Sequence, residues 1–279
     1  ASGEIQVEAK RLNKSNGVKT ASKIPFVRGV VNLFSSLVTG TKTLMRSAAV
    51  YGDDDEEGGK ISKWLAEKFK LSVMDVVAAI SVVLGVALAL ALFIFLPRFA
   101  TDFIMGFIPE DAATSFEWVR YVFLGVFKLL IFILYLSLIL LLKDIQRLYM
   151  YHGAEHKTIN AYEHGVELTP EKVKQCSRLH DRCGTSFLFI VLLVNIVLIS
   201  VITWAFKAYV IPDVTNQVAL SFINIGIELV LLPLIAGFSY EVLKLLAKFD
   251  NFFVAILKAP GKLLQKALTT RERDEEMIA

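Results

Sequence analysis

Residues 72–96 read SVMDVVAAISVVLGVALALALFIFL, twenty-five positions that carry one charge, Asp75. An α-helix needs about 20 apolar residues to cross the hydrocarbon core of a bilayer, so this stretch predicts a membrane span, stopped by Pro97. Three further runs qualify on the same grounds: 118–142 (WVRYVFLGVFKLLIFILYLSLILLL), 185–206 (TSFLFIVLLVNIVLISVITWAF) and 218–238 (VALSFINIGIELVLLPLIAGF). Hydrophobic residues make up 55% of the 279 and the mean hydropathy is +0.56, too apolar for an ordinary soluble domain. The first span begins about seventy residues in, which sets it apart from a signal peptide. The fold class is therefore all-α: a polytopic membrane protein with four transmembrane helices.

The flanking charges orient these spans. Residues 1–70 hold twelve Lys and Arg, 143–184 hold seven and the tail after 238 holds seven. The other two connections hold one each, Arg98 and Lys207. Both termini and the segment 143–184 are thus expected on the cytoplasmic side of a bacterial inner (plasma) membrane. The net charge of +3 follows from this topology, and no basic-aromatic pattern or glycine-rich phosphate loop argues for nucleic acid. With both cysteines on the reducing face, no structural disulfide is expected.

Three regions follow. Residues 1–60 form a cytoplasmic N-terminal region, which opens ASGEI without an initiator methionine, so an upstream piece is expected. Apolar positions 27, 30, 31, 34, 37, 38, 44, 45 and 48 have a helical period, and a helix on the membrane surface is preferred to one packed on the bundle. The acidic stretch GDDDEEGG (52–59) reads as a solvated linker. Residues 61–238 hold the spans. Residues 239–279 form a second amphipathic region with lysines at 244, 248, 258, 262 and 266, suited to anionic headgroups and expected to break at Pro260–Gly261.

All four histidines and both cysteines lie between residues 152 and 183. YMYHGAEHK (149–157) contains His152-x-x-Glu155-His156, the reversed zinc-protease spacing. On a helix His156 lies about 40° from His152 and Glu155 about 60° to the other side, so the three share a face. Two imidazoles one turn apart can grip zinc, or another divalent ion, with Glu155 as general base toward water. Glu163 shares the face but lies about 10 Å further along, beyond reach unless the chain bends. Gly165 is the expected helix end. The segment CSRLHDRCG (176–184) precedes the third span at the same surface, and a hairpin there would supply His180, Asp181 or Cys183 as a third ligand. His180 or Asp181 is expected to complete the site, with Cys183 and Glu163 as additional candidates. His164 faces elsewhere, and Cys176 reads as a packing residue.

Inside the spans, Lys128 and Glu228 fall at matched depths of about 15 Å, with Asn195 and Asn224 at similar levels. A lone charge there costs several kcal/mol, so an ion pair that arranges the helices is preferred to a proton or ion path.

The strings YHGAEHKTINAYEHG (151–165), SRLHDRCGTSFL (177–188), LTTRERDEEMI (268–278) and PFVRGVVNLFSSLVTGTKTLMRSA (25–48) closely resemble the YqhQ family of bacterial integral membrane proteins. The resemblance runs over nearly the whole chain. It implies the label that family carries, a metal-dependent enzyme without an established substrate or reaction, and a glycine-rich segment ahead of Ala1. Three functions follow from the sequence. The first is a metal-dependent hydrolase acting on a lipid or membrane-protein substrate. The second is a non-enzymatic scaffold or accessory factor for membrane-protein insertion or assembly, with a homo-oligomer or membrane-protein partner. The third is an ion or small-molecule transporter built on Lys128 and Glu228.

Overall fold

A computed structural model describes residues 20–50, 59–70, 72–109, 117–181, 183–246, 248, 249 and 251–272, and every regular element among them is helical. Residues 1–19, the acidic stretch 52–58 and the tail 273–279 lie outside the described residues. In chain order the helices are α1 (Val27–Val50), α2 (Lys60–Phe69), α3 (Val73–Leu90), α4 (Leu96–Met105), α5 (Glu117–Ile139), α6 (Lys143–Glu163), α7 (Pro170–Lys174), α8 (Gly184–Tyr209), α9 (Gln217–Leu246) and α10 (Phe252–Leu264).

Among the described residues, four helices are long and apolar enough to cross a membrane: Asp75–Met105, Trp118–Ile139, Gly184–Tyr209 and Gln217–Leu246. They face outward as a lipid-embedded bundle must. Val83 and Leu84 in the first span are 66% and 64% exposed, an arrangement that water would penalise at every such residue and hydrocarbon would not.

The first span does not stop at Pro97. Residues 91–95 form a π turn, in which the Leu96 N–H reaches the Ala91 carbonyl five residues back. The wider turn admits a proline, which has no N–H to give, at the start of α4. The helix therefore continues to Met105 and carries Arg98, expected in an outer connection, into the bundle, where it is buried. Likewise the fourth span passes Phe238 and ends at Leu246. The C-terminal stripe is then split by an N-cap, the Asn251 side chain accepting from the Val254 N–H at 3.0 Å. Pro260 does not break α10 either, because it lies inside that helix, which leads straight into a second π turn at residues 265–269.

Helix α10 closes one end of the bundle. Leu264 packs with Phe132 and Leu136 of α5, and Val254 with Ile190 of α8 and Leu246 of α9. Gly261 makes this approach feasible, since a Cβ there would come within 2.8 Å of Ser186 Oγ. The start of α1 packs on α9, where Arg28 forms a bidentate pair with Glu241 and the Phe26 ring stacks on Phe238 at 6.1 Å. Further along α1, Phe34 and Leu37 are exposed. That helix thus combines bundle packing at its start with an uncovered apolar face beyond it.

Candidate metal centre

Helix α6 carries both histidines of the HxxEH stretch at the end of the bundle closed by α10. It ends as expected: His164 is the last capping position and Gly165 follows at φ +66°. The loop between α7 and α8 folds back along α6 and is laced to it by side chains. Asn160 Nδ2 donates to the carbonyls of Ser177 (2.7 Å) and Leu179 (3.0 Å), and Lys157 Nζ donates to that of Lys174 (2.9 Å). His156 Nδ1 donates to the Arg178 carbonyl at 2.7 Å. This lacing delivers Cys183, the N-cap of α8, to the histidines.

His152, His156 and Cys183 each offer a ligand atom, all within 4.8 Å of one another. The two rings lie 4.4 Å apart by centroid, and Cys183 Sγ is 3.2 Å from His152 Nε2. His152 Nδ1 donates to the Thr269 carbonyl at 2.8 Å. A carbonyl only accepts, so both Nδ1 atoms carry a proton, and each Nε2 is the atom that would bind an ion once any proton it shares with Cys183 is displaced. That is the outer hydrogen bonding by which metal-ligating histidines are held. Tetrahedral zinc places its sulfur and nitrogen ligands about 3.6 Å apart, so small side-chain shifts would accommodate an ion. The donor set of two imidazoles and a thiolate fits a divalent metal.

The electrostatics agree. Burial pushes the Cys183 thiol up, but hydrogen bonds with His152, His156 and Thr185 together outweigh it and bring the group down from 9.0 to about 5. The Thr185 N–H at 3.4 Å belongs to the first turn of α8, whose free N–H groups favour an anion. His152 is raised, chiefly by its hydrogen bond with Cys183 and against the effect of burial. With no ion bound, the lowered thiol and the raised imidazole share one proton between Sγ and Nε2, which an incoming ion would displace to gain a buried thiolate and a free Nε2.

The remaining candidates separate. Glu155 is exposed, beside the three-residue group and outside it. His180 sits behind His156 with ring centroids 5.8 Å apart, and its Nε2 lies 3.2 Å from Glu163 Oε2. Asp181 pairs with Lys258 and Lys262 of α10, at 3.3 and 2.5 Å. Burial alone would raise the Asp181 carboxyl, but these two lysines hold it below its ordinary value. His164 is exposed and Cys176 half-buried.

Sequence reasoning missed the C-terminal strap. After the π turn the chain lies against α6, with the Arg271 N–H on the Tyr149 carbonyl (3.0 Å) and Glu272 on Lys157 (2.8 Å). A Cβ at Gly153 would meet the Arg271 carbonyl at 2.6 Å, so only glycine lets the strap seat. Gln265, fully buried, accepts from the His180 N–H and donates to the His180 carbonyl and to Ser186. The only sequence signal for this was the distinctive string around 268–278, which gives no hint of the contact.

A second polar group lies within the spans. Lys128 pairs with Glu228 and donates to Asn195 at 2.7 Å, while Arg98 Nη2 reaches the other Glu228 oxygen at 3.3 Å. Each span gives one residue. Asn224, half-buried, takes no part. Toward the end of the bundle away from α10, Asp102 accepts from Arg120 and from Ser221 (2.5 Å).

Fold and site define a class: a four-span helical membrane protein with a His–His–Cys group where α6, α8 and the C-terminal strap meet. Residues 24–279 match the family described as protein of unknown function DUF1385. The chain is 31% identical over 260 residues to the uncharacterized protein YqhQ of Bacillus subtilis (strain 168), covering 92% of this chain and 74% of that one. The chain belongs to this family. No solved structure matches it.

Proposed function

We propose that the protein is a metal-binding protein of the bacterial plasma membrane, its termini and its His152–His156–Cys183 centre on the cytoplasmic side, acting as a metal-dependent hydrolase at that surface. One observation carries the metal reading. Both histidines spend Nδ1 on a backbone carbonyl, and both leave Nε2 for an ion that Cys183 can also reach. The orientation rests on the lysines and arginines that flank the spans. Among the described residues three protein ligands converge, the number that catalytic zinc sites use, whereas structural sites are closed by four. A divalent ion held there supplies Lewis acidity toward a carbonyl, phosphoryl or water oxygen. Glu155, exposed one position before His156, is the residue suited to take a proton from water. The substrate class at a membrane surface is a lipid or a membrane-protein segment.

The strap favours a second reading, a scaffold. Thr269 joins the centre directly and Glu272 ties to Lys157, so an ion would lock the C-terminal region onto α6 and serve assembly rather than chemistry. Transport through the Lys128–Glu228 group ranks third, because its charges are taken up by one another.

Elemental mass spectrometry on the purified protein tests the proposal. Near one zinc or other divalent ion per chain is expected, with loss in His152→Ala/His156→Ala and in Cys183→Ser. Absence of metal after zinc is added back would overturn it. With metal present, a fall in hydrolysis of lipid or peptide substrates in Glu155→Gln at unchanged metal content supports the enzyme; a variant indistinguishable from the parent favours the scaffold.

A further inference from the structure

A cavity of about 800 Å³ opens at the end of the bundle closed by α10, outside the metal centre but sharing His180 as a wall. Part of its wall is apolar, with Phe189 and Ile190 from the start of α8 and Leu243 and Leu246 from the end of α9. Its rim is basic. Lys244 lies in the last turn of α9 and Lys248 just past its end, and Lys258 and Lys262 stand four residues apart on α10.

The rim charges do not cancel. Among the described residues, four lysines line the cavity against two carboxylates, Asp181 and Glu163, a surplus of two positive charges. Asp181 is held by the α10 pair, and Glu163 lies against His180, which leaves Lys244 and Lys248 to supply the surplus. The base is rigidly built: Gly261 abuts Ser186, and Gln265 ties Ser186 to the His180 backbone. Phe189 and Ile190 lie in the first two turns of a membrane span, so the apolar part of the cavity is at the hydrocarbon edge and the lysines are at headgroup depth.

We propose that this cavity holds one anionic phospholipid, its phosphate among Lys244, Lys248, Lys258 and Lys262 and the upper part of its acyl chains against Phe189, Ile190, Leu243 and Leu246. A small soluble anion would satisfy the lysines and leave the apolar wall uncovered. A neutral lipid would cover the wall and leave the charge surplus. An anionic amphiphile does both, by the attraction that draws basic segments to anionic leaflets. The inference does not depend on the metal, since His152 and Cys183 do not line the cavity. Combined with the hydrolase reading, it places a phospholipid headgroup beside His180, one ring away from His156.

The test is native mass spectrometry of the delipidated full chain, titrated with phosphatidylglycerol or phosphatidylcholine, with and without millimolar inorganic phosphate. One phosphatidylglycerol is expected to bind about tenfold or more tighter than phosphatidylcholine, undisturbed by phosphate. Lys244→Ala/Lys248→Ala is expected to abolish the preference at an unchanged melting temperature, because neither lysine holds the Asp181 pair. His152→Ala/His156→Ala keeps the preference while losing metal, so failure of the metal reading and failure of this one show separately. Equal affinity for the two lipids overturns the proposal, as does a preference that survives the lysine variant. Displacement by free phosphate would assign a small-anion site instead. Should the lysine variant not fold, the parent's lipid ratio and the phosphate competition decide the matter.

Discussion

The two polar groups of this molecule use the same kinds of side chain in opposite ways. At the end of the bundle, His152 and His156 are held by backbone carbonyls, and their remaining nitrogens converge on Cys183 with ligand capacity left over. In mid-bundle, Arg98, Lys128, Asn195 and Glu228 spend their capacity on one another, apart from Arg98 Nε, which has no hydrogen-bond partner among the described residues. Orientation by the backbone with donors left over prepares a site for an incoming ion. Mutual saturation between spans fixes how the spans pack.

The largest test of this contrast is in mid-bundle. Glu228 faces two cations, so Glu228→Gln strands two buried positive charges, whereas Lys128→Met leaves an Arg98–Glu228 pair. Removing the shared partner should cost about 3–5 kcal/mol, enough to abolish stable expression, and Lys128→Met clearly less. Lys128→Met added to Glu228→Gln should restore stability only in part, because Arg98 remains. Thermal unfolding in detergent reads the order, and equal losses in the two single variants would show that the three residues are not one charge group.

The next test is at the strap. Gly153→Ala drives a methyl group into the Arg271 carbonyl, at a cost of about 1–3 kcal/mol unless the strap lifts. A lifted strap frees His152 from Thr269, so metal affinity should fall about tenfold while the four spans stay intact. Hydrogen exchange at residues 269–272 together with metal titration checks it. Unchanged exchange and affinity would separate the strap from the centre.

A subtler effect is pH dependence in the metal-free protein. The folded state lowers the Cys183 group from 9.0 to about 5, so it favours the thiolate. Its contribution to stability is full above about pH 9, declines below that and is gone once pH falls through about 5. His152, raised by the same contact, contributes in the other sense, fully below its unfolded value and lost as pH rises through its folded one. Thiolate absorbance near 240 nm should persist down to about pH 5 in the parent and vanish in Cys183→Ser. A titration midpoint near 9 would contradict the pairing. The smallest change expected is His164→Ala, an exposed ring bonded to the carbonyl one turn back, with metal content the same and stability within about 0.5 kcal/mol.

Legibility in the sequence followed the range of each interaction. The placing of His152 and His156 on one face could be read from a spacing of four, which any helix turns into adjacency. Lys128 and Glu228 could be matched by counting residues from the ends of their spans. Arg98 could not, because Pro97 signals a stop and only the π turn at 91–95 shows how the helix passes it. Cys183 ranked behind His180 and Asp181 as a third ligand, since the choice depends on how Asn160, Lys157 and His156 lace the returning loop.

Four spans, their order and the gathering of every histidine and cysteine into one window were determined by the sequence alone, because apolar run length and helical period act over a few turns. The tertiary structure decided the rest. It paired Arg98 with Glu228, set Cys183 beside the two histidines, and brought Thr269 to His152 across 117 residues and Gln265 to His180 across 85. The physical reason is that a buried polar group must find its partner wherever packing supplies one, and no local pattern records that distance.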